Sequence, residues 1–370
     1  METQRKKLTK GSVNSNSLPV DLMMEILKRL PLKLIVKFLC VSKLWASMFR
    51  SPYFMKLFLK ESLTRPKSLI FVFRKKYKCP SSFTSVYLKN TIEASSSSSS
   101  SSCSVTYHVI CHTRQRSIIT PCVHGLICYG PASRIVIYNP CTRRSVTLPA
   151  INAAGKRPID KYLGFDPIDS DYKVLCIVRS ETDKKRSRRG LAEEIWVLTL
   201  GTRNSWRRMI EQDVIPPHSP VREQLCINGV LYYRAFTGAK LNDSAIMSFD
   251  VRSEKLDLIK GPCTFPEFSK LTSYEGKLAV RGHLRNFQRF SATDADTGEI
   301  IFTQTWQHAS LPSAVYYDLK NNSVRNFEIQ GTKKENMSLH ADSASYSQVD
   351  NMPFHEDSVS SSLVDNLMFL

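Results

Sequence analysis

The chain has 370 residues, 42% of them hydrophobic and 23% charged, which gives room for two or three domains and excludes a peptide, a minimal scaffold or a wholly unfolded polymer. No apolar run reaches the roughly 20 residues that cross a bilayer, and Met1–Lys10 is basic with no apolar stretch behind it, so neither a membrane span nor secretion is expected. The formal charge of +19 is uneven, with +9 on residues 1–65, +14 on 66–330 and −4 on 331–370. The ten cysteines form no CxxC pair and no framework spacing. They read as reduced thiols of a protein in the nucleus or cytoplasm.

After a basic leader, 1–16, expected to be unstructured, residues 17–62 read as four short helices. Ser17 and Pro19 are N-terminal signals, Leu22, Ile26, Leu27 and Leu30 recur at helical spacing, and Pro31 interrupts the run before Leu34, Ile35, Phe38 and Leu39. Ser42 can cap a third helix carrying Leu44, Trp45, Met48 and Phe49, and Ser51-Pro52 opens a fourth. A unit this small rarely forms a stable core alone, and its apolar positions outnumber what one short bundle can cover. Either a partner protein covers them or the helices dock as a cap on the rest of the chain.

From Pro66 the period changes. Short segments rich in β-branched and aromatic residues follow, among them 69–73, 85–88, 105–110, 125–129, 134–138, 172–178, 194–200, 229–233, 245–251, 277–280, 299–305, 314–319 and 324–329. Turn clusters separate them, as in an all-β domain, and Ser95–Ser102 reads as a low-complexity loop. Segments starting at 134, 194, 245 and 314 share one plan: an apolar strand, a polar turn and a second strand. A second repeated signal is a polar residue and Gly before a strand, at His124-Gly125, Asn228-Gly229 and Glu275-Gly276. Repeats of roughly 50 residues with about four strands predict a β-propeller, with a pair of sandwiches as the alternative. The acidic, Ser-rich stretch 332–370 reads as a tail without its own fold.

The order Leu18-Pro19, Glu25-Ile26-Leu27, Arg29-Leu30-Pro31, Cys40-Val41-Ser42-Lys43, Trp45 and Ser51-Pro52 resembles the F-box motif over nearly its full length. The resemblance implies a Skp-type adaptor as partner and, through it, cullin and RING subunits of a ubiquitin ligase. It also places Leu18, Pro19, Ile26, Leu27, Leu30, Pro31, Leu34, Val41 and Trp45 at the adaptor interface. Residues 66–331 resemble the kelch-like F-box-associated domain of plant F-box proteins at His124-Gly125-Leu126, Tyr138-Asn139-Pro140, Gly164-Phe165-Asp166-Pro167 and Trp196-Val197-Leu198 with Trp206. Such a domain presents target proteins. One β-hairpin is missing near 283–294, which leaves one blade short and ring closure open.

No catalytic or cofactor motif stands out, and no metal or cofactor is expected. His108, Cys111, His112, Cys122 and His124 are metal-binding residue types, but neighbours on a strand point to opposite faces. Asp166, Asp169 and Asp171 read as a turn, and Tyr138 and Trp206 as blade core. The run Lys184–Arg189 fits a solvated loop, an import signal or a phosphate contact. Three functional readings follow: a non-catalytic target receptor, a basic nuclear protein that binds nucleic acid, and an F-box protein with an impaired β domain.

Overall fold

A computed structural model describes residues 18–65, 68–75, 82–89, 105–113, 119–131, 133–151, 159–180, 190–201, 205–209, 216–259, 270–281, 289–293, 299–303, 313–318, 321–328, 354–363 and 368. The leader 1–16, the serine run 95–102, the basic run 184–189 and residues 332–353 lie outside the described residues.

Four helices open the chain: α1 (Val20–Leu27), α2 (Leu32–Phe38), α3 (Lys43–Phe49) and α4 (Pro52–Leu63). Each start has a local cause. Pro19 and Pro31 occupy the N-cap positions of α1 and α2, while the Ser42 and Ser51 hydroxyls accept hydrogen bonds from the Trp45 and Phe54 amides, both at 3.2 Å. A file of aromatic rings joins the last three helices: Phe38 meets Trp45 at 5.1 Å, Trp45 meets Phe49 at 5.8 Å and Phe49 meets Phe54 at 5.2 Å, centroid to centroid. Leu27, Leu32 and Ile35 complete this core. Arg65, lying over the Phe58 ring, donates to the carbonyls of Lys28 and Leu30 and so caps the end of α1.

The rest is antiparallel sheet. The first sheet holds β1 (Ser68–Lys75), β2 (Ser82–Lys89), β3 (Val105–Thr113) and a strand from the far end of the chain. The second is β4 (Ile127–Tyr129), β5 (Val136–Asn139) and β6 (Arg144–Thr147). The third is β7 (Ile159–Asp166), β8 (Asp171–Arg179), β9 (Ala192–Thr199) and β10 (Arg207–Arg208). The fourth is β11 (Ser219–Ile227), β12 (Val230–Thr237), β13 (Asp243–Asp250) and β14 (Leu256–Ile259). The fifth has β15 (Lys270–Tyr274) and β16 (Lys277–Arg281), and the sixth has β17 (Arg289–Thr293), β18 (Ile300–Thr303), β19 (Ser313–Asp318) and β20 (Ser323–Glu328).

The repeats of the sequence are now explained. The four similar segments are the outer hairpins β5–β6, β9–β10, β13–β14 and β19–β20. Three of them turn alike, and so does β7–β8: an Asn or Asp oxygen accepts main-chain amides ahead of it, and the fifth residue is left-handed. The pairs are Asn139 with Arg143, Asp166 with Ser170, Asp250 with Glu254 and Asp318 with Asn322. The polar-Gly signal marks two-residue turns with both residues at positive φ: His124-Gly125, Asn228-Gly229 and Glu275-Gly276. That is the type I′ geometry that matches strand twist.

Successive sheets touch through their first strands, β4 with β7, β7 with β11, β11 with β15 and β15 with β17. This radial order is that of a propeller, not of two sandwiches. The inner edges are stitched by side chains of the neighbouring sheet. Gln224 accepts from the Leu163 amide at 3.0 Å and donates to the Leu163 carbonyl at 3.2 Å, and Glu223 accepts from the Leu271 amide at 2.6 Å.

One expectation changes here. The segment 332–370, read as a tail without structure, contains β21 (Phe354–Leu363), which pairs antiparallel with β1 and touches β17. It fills in the first sheet the inner place that a sheet's own first strand fills elsewhere. Beyond it Met368 packs on the core of the second and third sheets, and its carbonyl accepts from the Asn139 amide group at 2.9 Å. The physical reason is that β1 offers an edge of main-chain donors and acceptors, which a serine-rich strand can satisfy as well as an apolar one. The fifth sheet, ending at Arg281 next to the stretch read as short of a hairpin, has two strands among the described residues.

Candidate adaptor-binding site

Of the large apolar side chains exposed among the described residues, Leu18, Val20, Leu22, Ile26, Leu34, Val36, Val41, Leu44 and Tyr53 lie in the helical unit, against five in the β domain. A concentration of this kind marks a protein-binding face. Helix α1 shows how it arises: Leu27 turns inward at 5% exposure, while Leu22 and Ile26, one turn apart, face out, Ile26 at 51%.

The nine residues singled out by the sequence divide accordingly. Leu18, Pro19, Ile26, Pro31, Leu34 and Val41 are exposed, Val41 at 63%. Leu30 is half-buried at the end of α1, and Trp45 is half-buried between Phe38 and Phe49. Leu27 belongs to the bundle's own core, where its contribution is to the fold that presents the others. Leu22 and Leu44 are equally exposed and were not singled out; the helical spacing of Leu22 and Ile26 was the available signal.

The other chemical candidates resolve into structure. Cys122 is buried and His124 meets Phe165 in a tilted ring contact at 4.6 Å beside the second sheet, while His108, Cys111 and His112 lie on β3 of the first. Burial pushes the thiols of Cys128 and Cys226 up to about 12, which keeps them protonated and unreactive. Trp206 donates to the Pro149 carbonyl at 2.8 Å, and Tyr138 is buried with Tyr129 and Val136.

One buried group gives the β domain a pH dependence. His218 has one ring nitrogen 2.7 Å from the Pro216 carbonyl and the other 3.0 Å from the Tyr233 hydroxyl. A carbonyl only accepts, so Nδ1 carries the proton and Nε2 accepts from Tyr233. Burial disfavours the charged ring and holds its pKa below 6.5, against an opposing pull from the Pro216 carbonyl. The unfolded chain therefore binds the proton more readily. Stability supplied by this site is complete above 6.5 and falls as the pH drops through the lowered folded value. Thermal melts across this range should fall on the acid side, and His218→Gln should flatten that fall; an unchanged slope would contradict the assignment.

A family model described as the F-box domain matches residues 15–57, and one described as the F-box associated beta propeller domain matches residues 68–294. The chain is an F-box protein. Putative F-box protein At4g38870 of Arabidopsis thaliana is 59% identical over 390 residues, covering 95% of this chain and 91% of that protein. F-box protein At2g21930 of the same plant is 39% identical over 399 residues, covering 94% and 96%. The pairing of an F-box with an F-box-associated domain is that of a substrate adaptor, and F-boxes in general bind Skp-type adaptors.

In this F-box protein α4 belongs to both units. Phe54 and Phe58, one turn apart, face the helical core, whereas Leu59 and Leu63 pack on the core of the second and third sheets. Lys56 reaches the β7–β8 turn, donating to the Asp169 carbonyl at 2.8 Å and pairing with Asp171 at 2.6 Å. Cys141, in the β5–β6 turn, packs on the helical core. The aspartate cluster is thus a turn, and it also seats the F-box. Of the two open alternatives the cap is observed, since the helices dock through α4, and an apolar face is left uncovered.

Proposed function

We propose that this F-box protein is the non-catalytic target receptor of a Skp-cullin-F-box ubiquitin ligase, acting in the nucleus or cytoplasm. The observation that carries the reading is the exposed apolar set on α1, α2 and the α2–α3 loop, on a bundle whose α4 is already seated on the β domain. An aliphatic face of this type docks into an apolar groove, with a few desolvated anchors supplying most of the affinity. Seating through Leu59, Leu63 and Lys56 keeps the F-box and the β domain in one orientation. Ubiquitin transfer then depends on proximity, because target and conjugating enzyme share one scaffold.

The full chain should capture a Skp-type adaptor, and Ile26→Asp with Leu34→Asp should reduce capture at least about 100-fold. Both side chains are exposed, so helical circular dichroism should be unchanged. Capture that survives the double substitution would end this reading.

A further inference from the structure

In the third, fourth and sixth sheets the second strand is covered by a third: β8 by β9, β12 by β13 and β18 by β19. In the fifth, β16 pairs with β15 and, among the described residues, with nothing on its other side. The register fixes which groups that edge presents. Glu275 and Gly276 both have positive φ, so the turn is a two-residue type I′ turn and the flanking pair Tyr274–Lys277 exchanges main-chain hydrogen bonds. Alternation then turns the N–H and C=O of Leu278 and Val280 away from β15. The same alternation turns the Leu271 amide out of the opposite edge, where Glu223 accepts it at 2.6 Å, which supports the register.

We propose that this edge holds the target protein, which adds an extended acidic segment to β16 as a third strand. The inference rests on the receptor reading and deepens it. An edge strand with free donors and acceptors is a template for strand addition, in which main-chain bonds give affinity and flanking side chains give selectivity. The charge of the hairpin chooses the occupant: Lys270, Lys277 and Arg281 stand against Glu275, with Lys277 exposed. Leu278 and Val280 are half-buried, so apolar or β-branched residues alternating with acidic ones fit this strand.

The test uses the full chain and a fluorescent synthetic peptide alternating Glu and Val. The peptide should bind, slow amide exchange at Leu278 and Val280, and bind about tenfold more weakly to Lys277→Glu with Arg281→Glu. That variant should gain affinity for a peptide alternating Lys and Val, and a Glu-Val peptide N-methylated at alternate residues should not bind the wild type. The inference is overturned if the peptide does not bind, or if charge reversal and N-methylation leave binding unchanged. It is overturned equally if both amides are already protected in the free chain, which would mean that another segment of this chain covers the edge. Adaptor capture by the wild-type chain separates the two readings: capture present with peptide binding absent removes this inference and leaves the adaptor assignment standing.

Discussion

Phe54→Ala is expected to unfold the helical unit and abolish adaptor capture while the β domain stays folded. Phe54 is fully buried and sits between Phe49 at 5.2 Å and Phe58 at 6.3 Å, at the point where the aromatic file crosses from α3 to α4. Truncating a buried phenylalanine costs about 3–5 kcal/mol, and a bundle of this size holds roughly that much stability in its core. The loss should be visible as lower helical signal and as rapid amide exchange in α1–α3. The sheets should hold their protection, because Leu59 and Leu63, not Phe54, meet their core. Ile26→Asp with Leu34→Asp makes the contrast, losing capture with the helices intact. If Phe54→Ala keeps both helical signal and capture, the aromatic file is not what holds the binding face in place.

How far the sequence could be read depended on where each element finds its bonds. The helices and their starts were legible because Ser42, Ser51 and the prolines act locally and Leu22 and Ile26 keep helical spacing. The outer hairpins were legible because each joins a β-branched or aromatic strand to a polar turn, of Asx type in three of the four. The inner strands β7, β11, β15, β17 and β21 were not. Their sequences carry Asp160, Lys161, Glu223, Gln224, Lys270 and Arg289, which break the apolar pattern. Several of these polar residues are satisfied by distant parts of the chain. Asp160 meets Arg179 at 2.6 Å, and Gln224 holds the main chain of Leu163 in the neighbouring sheet. Periodicity reports burial of apolar faces, whereas these strands are placed by main-chain pairing and buried polar contacts.

The candidate site shows the same division. The exposed apolar set of the helical unit follows a local motif, so Leu18, Ile26, Leu34 and Val41 are legible in the sequence and are exposed in the structure. Leu27, which the F-box resemblance places with that set, is buried in the helical core, and sequence order alone does not show which side of α1 turns inward. The seat for α4 joins Lys56 to Asp171 and Leu59 to the β-domain core. It depends on residues more than a hundred positions apart, which no local pattern reveals.

Ending the chain at Pro353 should open the β domain. The truncation removes β21, whose register matches seven positions of β1, from Ser68 to Lys75, and also removes Met368 from the core of the second and third sheets. At about 1 kcal/mol net for each main-chain hydrogen bond, the strand contributes on the order of 5 kcal/mol, comparable to the stability of an ordinary domain. The truncated protein should therefore unfold at markedly lower denaturant and be cut rapidly by protease within the sheets, while the helical unit still captures its adaptor. Point variants identify the cause. Ser358→Pro with Ser360→Pro removes main-chain donors from within the strand and should reproduce most of the loss. Ser358→Ala with Ser360→Ala should cost little, because the pairing uses the backbone. Asn139→Ala, which removes the bond to the Met368 carbonyl as well as the Asx contacts of its own turn, should weaken closure in part. Equal denaturation midpoints for the full and truncated chains would show that the β domain is stable without β21, and a loss in the alanine pair matching the proline pair would show that side chains, not main-chain pairing, hold the strand.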